Sequence, residues 1–275
     1  MRRNKVGRLW VYLGVLVLLI IIIFPFYWMV AASVKSFAEV SIERTLIPHQ
    51  IVWKNYTDLF TQTNILIHLV NTFWVSALTT LLTLLLSTMT GYTITRYDSV
   101  GGEFVARFTL FTYMVPSIVL LLPLYLVLKA IGLINTHAGL ISSYLTFTLP
   151  FAIWMMRAYF QTIPQSMEEA AVVDGANRFQ AFFWVVIPQA MPGLISTATF
   201  IFIMCWSEFL YPLVLISTDD LKTITVTLAA LTGGGQNIKF SLLMAASTVA
   251  TLPIILIFLF LQKYLVRGFA AGGYE

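Results

Sequence analysis

One cysteine in 275 residues, Cys205, excludes an internal disulfide and a thiol-ligated metal centre. Charge is nearly as scarce. Asp, Glu, Lys and Arg make up 10% of the chain, against about 25% in ordinary soluble domains. The three histidines, His49, His68 and His137, are scattered, so no metal site is expected. No stretch reads G-x-x-x-x-G-K-[ST], and the one run of three glycines, Gly233-Gly234-Gly235, lacks the Lys-Ser/Thr ending that a phosphate-cradling loop needs. The chain carries no sequence sign of hydrolysing ATP. Internal repeats and low-complexity tracts are also missing.

What fills the space is apolar. Hydrophobic residues are 59% of the chain and the mean hydropathy is +0.87, values that place it in a bilayer. The net charge of +4 and pI near 9.2 fit cytoplasmic loop charges better than nucleic-acid binding. Arg2, Arg3, Lys5 and Arg8 precede an apolar run that is too long for a secretory signal and keeps Pro25 and Trp28 near its far end, so it reads as a retained spanning helix. Six spans are expected, at 9–32, 69–94, 108–128, 139–156, 193–216 and 242–265. Their continuous apolarity excludes a transmembrane barrel, whose strands alternate. The fold class is all-α, a single polytopic domain over 1–275.

Lys and Arg set the orientation. With the N-terminus inside, the cytoplasmic segments hold Arg2, Arg3, Lys5, Arg8, Arg96, Arg107, Arg157, Arg178, Lys263 and Arg267. The outer segments hold Lys35, Arg44, Lys54, Lys129, Lys222 and Lys239. Both termini are then cytoplasmic, as is the loop over 159–192. Trp10, Tyr12, Tyr27, Trp28, Tyr92 and Tyr264 read as interface anchors. Pro116, Pro123, Pro150, Pro212 and Pro253 read as kinks that bend helices around a cavity.

Within that loop lies the longest polar interruption of the second half, SMEEAAVVDGANRFQAFFWVVIPQAMP over 166–192. Ser166 and Glu169 have capping-box spacing, and Glu168 and Glu169 suit a helix N-terminus. Gly175 suits the left-handed residue that ends a helix. Asn177 with Gln180 caps a second helix. On that helix Phe179, Phe182, Phe183 and Val186 make one apolar face, and Pro188 and Pro192 are expected to stop it. Ala170 and Ala171 leave the first helix nearly bare, so another protein can approach its backbone. By capping and periodicity alone this is also an ordinary helical hairpin.

Residue identities go further. Glu169-Ala170-Ala171, then Asp174-Gly175-Ala176, then nine residues after the glycine, then Val185-x-Ile187-Pro188, resembles the EAA loop of ATP-binding-cassette importer permeases. Ordered fragments elsewhere are similar to the smaller six-helix permease subunit of maltose-type carbohydrate importers. They are Asn55-Tyr56, Asn71-Thr72, Gly91-Tyr92 with Arg96-Tyr97, Gly132 to Thr136, Leu149-Pro150-Phe151 and Ile163-Pro164. Trp206-Ser207-Glu208-Phe209 stands where that family often has Trp-Asn-Glu-Phe, so Ser207 is a departure.

The resemblance implies the type I importer transmembrane fold in a bacterial or archaeal cytoplasmic membrane. It implies four kinds of partner: a second, non-identical permease, two ATPase subunits that bind ATP and Mg, an extracytoplasmic binding protein that delivers a di- or oligosaccharide, and the lipid bilayer. Nucleic acid is not among them, and the chain is a non-catalytic subunit with no cofactor of its own. Glu169, Ala170, Ala171, Asp174, Gly175, Ala176 and Pro188 match the docking motif, in which Glu169 contacts the ATPase and Gly175 makes the turn. The tail over 266–275 touches the ATPases as well. Glu208 is the candidate for the substrate path, because an intramembrane carboxylate is costly and faces a cavity or partner helix. It reads equally as a structural hydrogen-bonding group. Other readings stay open: a polyol or glycerol phosphate as solute, an ion-coupled carrier using Glu208, or a membrane scaffold without a path.

Overall fold

The computed structural model describes residues 5–43, 45–97, 100–232 and 240–271. Gly233 to Gly235, Lys239, Arg2, Arg3 and the end of the tail lie outside the described residues, as do the side chains of Lys263, Tyr264 and Arg267. Among these described residues twelve α-helices follow in chain order: α1 Lys5–Ser33, α2 Lys54–Gln62, α3 Ile65–Arg96, α4 Val100–Met114, α5 Ser117–Ala130, α6 His137–Thr162, α7 Gln165–Val173, α8 Arg178–Ala181, α9 Ile187–Trp206, α10 Leu210–Leu215, α11 Ile224–Thr232 and α12 Phe240–Ala271. π turns stand at Glu39–Glu43 and Phe182–Val186. No strand occurs among the described residues, so the all-α expectation holds.

Among the described residues, five helical stretches are long and apolar enough to cross a membrane: Trp10–Ser33, Ile65–Arg96, His137–Thr162, Arg178–Trp206 and Phe240–Gln262. A sixth crossing comes only from a bent pair. Where an unbroken span over 108–128 was expected, α4 and α5 meet at 101°. Pro116 explains the break. It offers no N–H to the Thr112 carbonyl, and it disfavours helical backbone at Val115; its own ψ of 129° starts α5 in a new direction.

The fifth span also departs from 193–216. It starts at Arg178 and stops at Trp206, with Ser207 to Phe209 separating it from α10. Pro188 and Pro192 do not end the helix. The π turn ahead of them, with Ile187 N–H donating to the Phe182 carbonyl, widens the coil and places Pro188 in the first turn of α9, where a missing N–H costs nothing.

Contacts group the chain into two units, residues 1–66 with 227–252, and residues 67–226 with 253–275. In the first, α1 exposes most of its apolar side chains from Trp10 to Val30, as a lipid-facing helix must. The segment after it folds around Lys35, which is fully buried. Its ammonium donates to the carbonyls of Thr45 and Leu46 and lies 4.7 Å from the Trp28 ring centroid. Asn55 donates to the carbonyls of Ser33 and Lys35, both at 2.9 Å. His49 is less isolated than its place in the sequence implies. Its Nδ1 is 3.3 Å from Glu39 and 3.7 Å from Glu43. The Glu39 carboxyl is held below its ordinary value, chiefly because it accepts the His49 backbone N–H at 2.8 Å.

In the second unit, Val75, Leu128, Leu140, Tyr144, Ile201 and Leu215 form one core, and Met156, Phe160, Ile163, Val186 and Ala190 a second. Hydroxyls in the spans bond back to their own helix, as Thr80 does to the Ser76 carbonyl (2.7 Å), or across helices, as Thr83 does with Thr148 (2.9 Å). Glycine lets helices close. A Cβ at Gly193 would meet the Tyr159 ring at 2.3 Å, and one at Gly91 would meet Met156 Cβ at 3.0 Å. The 216–224 connection is pinned by side chains from two elements. Asn71 donates to the carbonyls of Asp220 (2.7 Å) and Lys222 (3.0 Å), Thr72 accepts the Ile224 N–H, and Asn135 accepts the N–H groups of Ser217 and Thr218.

Candidate functional site

The segment from Ile163 to Ala181 is a helical hairpin held from behind and bare in front. α7 starts at Gln165, one residue earlier than the expected cap. Ser166 therefore sits inside the helix, and the Ser166–Glu169 capping box is not formed; Pro164 is the N-cap and has no side chain to offer. The end of α7 is as expected. Gly175 N–H donates to the Val172 carbonyl and Ala176 N–H to the Ala171 carbonyl, both at 3.0 Å, with Gly175 at φ +97°. These two bonds make a Schellman turn, which needs a left-handed residue at this point. Asn177 and Gln180 then form the expected reciprocal capping box: Asn177 Oδ1 accepts the Gln180 N–H at 2.8 Å, and Gln180 Oε1 accepts the Asn177 N–H at 2.9 Å.

Glu169, Ala170, Asp174 and Gly175 are exposed, Ala171 and Ala176 half-buried, and Pro188 exposed at the start of α9. The structure brings the first six together on one turn-and-helix surface; Pro188 stands apart from it, on the helix that leaves. Val173, at 86% exposure, adds an apolar tip. The apolar face expected over 179–186, carried by α8 and the π turn after it, is split. Val186 is fully buried and Phe182 half-buried against the second core, whereas Phe179 is exposed, with Phe183 beside it at 4.6 Å.

What sequence reasoning missed is the back of α7. Glu168, assigned only to the helix N-terminus, is buried, and its carboxylate forms an ion pair with Arg96 at the end of α3. Tyr92 Oη donates to the same carboxylate at 2.8 Å, and Arg96 also donates to the Ile163 carbonyl at 2.8 Å. The Tyr92 ring packs 4.5 Å from Phe182 and 5.7 Å from Phe160. The signal available beforehand was indirect: Tyr92 and Arg96 both lie in the ordered fragments, without an indication of their partner. Arg178 reaches back to Tyr97, with its guanidinium 5.7 Å from the ring.

Glu208 lies far from this hairpin, at the break between α9 and α10. Its Oε1 accepts the N–H groups of Leu210 (2.8 Å) and Tyr211 (3.3 Å). It forms no ion pair among the described residues. The carboxylate is thus partly consumed in satisfying backbone donors that the break sets free.

Three comparisons bear on this arrangement. Residues 83–271 match the family model described as a binding-protein-dependent transport system inner membrane component. A trehalose/maltose transport system permease protein from Thermococcus litoralis is 31% identical over 99% of this chain and 98% of its own length. A trehalose transport system permease protein from Mycobacterium tuberculosis is 35% identical over 90% of each. Among solved structures, a chain of a bacterial ABC transporter involved in the import of the acidic polysaccharide alginate superposes with a TM-score of 0.74 at 21% identity, covering 96% of this chain and 99% of that one.

Proposed function

The chain belongs to the family of binding-protein-dependent transport system inner membrane components, and from that premise we propose that it is the permease subunit of an ATP-binding-cassette importer for a di- or oligosaccharide. The observation that carries the coupling role is the hairpin. α7 presents exposed Glu169 and Ala170 and a rigid glycine turn on one side, while Glu168 on the other side grips Arg96 and Tyr92. A bare surface backed by a buried ion pair suits a docking element that must receive force and pass it on.

In this reading α7 and the Gly175 turn seat in a cleft of an ATPase subunit, with Glu169 at the contact. ATP and Mg stay with the ATPases, and this chain performs no chemistry. Closure of the ATPase pair displaces α7. The Glu168–Arg96 pair carries that displacement to α3, and α8 carries it into α9. A binding protein delivers the sugar from outside, and a second, non-identical permease completes the path. Counting α4 and α5 as one crossing gives six, so that both termini and the hairpin share one face; the Lys and Arg distribution supports the cytoplasmic one. The sugar class rests on the relatives, which include trehalose/maltose and trehalose permeases.

The ion-coupled carrier is the second reading, and Glu208 is its only foothold. Its carboxylate is engaged by two backbone amides and has no cationic partner among the described residues. A phosphorylated solute meets the same objection from the other side, since Glu208 would repel it. The test is gentle purification of the tagged chain from its native membrane, with mass spectrometry of what stays bound. A P-loop ATPase and a second polytopic subunit are expected. Uptake should survive an uncoupler and stop on ATP depletion; the reverse pattern overturns the proposal.

A further inference from the structure

Two of the spans are broken, and the breaks meet. The 115–116 break between α4 and α5 and the 207–209 break between α9 and α10 border one cavity of about 430 Å³, within the ~300–1,000 Å³ of small-molecule sites. Tyr211 Oη donates to the Ser117 carbonyl at 3.0 Å and ties the two breaks together. The lining is mixed in a particular way. Glu208 Oε2 and the hydroxyls of Ser117 and Ser207 have no hydrogen-bond partner among the described residues. Two rings lie beside them. Phe147 is braced against Tyr144 (5.6 Å) and Tyr211 (5.7 Å), and Tyr113 against Phe151 (6.0 Å).

The other cavities differ. One of about 520 Å³, lined by Leu84, Leu85, Phe182 and Phe183, is almost wholly apolar, and one of about 490 Å³ beneath α7 belongs to the hairpin already described.

We propose that the cavity at the two helix breaks is a saccharide subsite of the translocation path: Glu208 and the Ser117 and Ser207 hydroxyls take sugar hydroxyls, and Tyr113 and Phe147 lie against the apolar faces of the ring. The inference rests on the carbohydrate reading above and adds the place and the residues. A neutral polyhydroxylated ring matches this lining group by group. Its hydroxyls donate to an unpaired carboxylate oxygen, a charge-assisted bond strengthened by the low-dielectric surroundings. Its C–H faces replace water on the aromatic rings. Broken helices make such a site possible, because irregular backbone inside a membrane is tolerated only where it lines a cavity or is buried in protein. The single carboxylate also excludes anionic solutes.

The test uses the complete complex, with its second permease, ATPases and binding protein, reconstituted in proteoliposomes and offered labelled maltose and trehalose. Glu208→Gln keeps the acceptor for the Leu210 and Tyr211 amides and removes the charge. It should lower sugar carried per ATP hydrolysed about tenfold, the loss of one charge-assisted hydrogen bond, while binding-protein-stimulated ATP hydrolysis stays within about twofold. Ser207→Asn, with a larger polar group in the same wall, should change the maltose-to-trehalose ratio. Cys205 is buried and is the chain's only cysteine, so the thiol introduced by Ser117→Cys can be followed by mass spectrometry of this chain separated from its partners; saturating sugar should slow its modification by a methanethiosulfonate several-fold. Unchanged coupling ratio, sugar preference and modification rate overturn the subsite. Should Glu208→Gln fail to assemble, Tyr113→Leu carries the same expectation. If the unmodified complex takes up neither sugar, the carbohydrate reading itself falls, a result distinct from failure of the variants.

Discussion

Arg96 and Glu168, 72 residues apart in the chain, form a buried ion pair that joins the end of α3 to the back of α7. Both side chains are about nine-tenths buried. Removing one partner from such a pair leaves an uncompensated charge and costs about 3–5 kcal/mol. Glu168→Ala should therefore lower the melting temperature of the purified complex, and ATP hydrolysis should stop responding to the binding protein. The exchange Arg96→Glu with Glu168→Arg should recover part of the response. A Glu168→Ala complex with wild-type stability and uptake would refute the linkage.

Gly175 tests the turn in isolation. A Cβ there would touch nothing within 4 Å, so crowding plays no part. The cost of substitution is the backbone's, about 1–2 kcal/mol for a residue forced into left-handed geometry. Gly175→Val should abolish uptake while the protein still reaches the membrane. Gly175→Asn, which visits that geometry more readily, should keep most of it. Equal uptake by the two variants removes the argument.

Gly193 gives a steric counterpart. Its missing side chain accommodates the Tyr159 ring, which a Cβ would meet at 2.3 Å. Gly193→Ala should cut the yield of folded protein and lower its melting temperature, whereas Gly14→Ala, with nothing within 4 Å, should be silent. Comparable melting curves for the two would contradict the close packing of α9 on α6.

The segment after α1 should respond to acid. Glu39 accepts the His49 N–H as a carboxylate, and its pKa is depressed below the usual 4.5. Its contribution is present at neutral pH and is lost as pH falls through the depressed value. Hydrogen exchange at His49 should be slow at pH 7 and accelerate, relative to the intrinsic rate, only once the pH has fallen below the ordinary carboxylate value of 4.5. Glu39→Gln should remove that pH dependence. A protection factor at His49 that stays flat with pH in the unmodified protein would count against the assignment.

Local signals in the sequence carried a good part of the hairpin. Gly175, Asn177 and Gln180 act through backbone groups at most three residues away, so their spacing predicts their bonds. The Glu168–Arg96 pair has no such trace, because burial and distance along the chain are set by how α3 and α6 close over Gly91. The broken spans were half legible. Pro116 marked a kink, yet a mean over apolar residues cannot tell a kink from a 101° turn. Pro188 misled for a different reason. A proline ends a regular α-helix, but a π turn ahead of it supplies the wider coil that lets the helix continue. His49, Glu39 and Glu43 likewise come together only through the fold of the outer segment.

The helix that continues past Pro188 runs unbroken from Arg178 to Trp206, 29 residues. At 1.5 Å per residue it is a rod of roughly 43 Å. One end begins three residues after the Gly175 turn, and the other stops at the wall of the cavity that holds Glu208. Such a rod is a lever with unequal demands on its ends. A tilt of about 5° at the hairpin carries the Trp206 end about 4 Å sideways, enough to open or close a gap the width of a sugar hydroxyl, with no change in the rod itself.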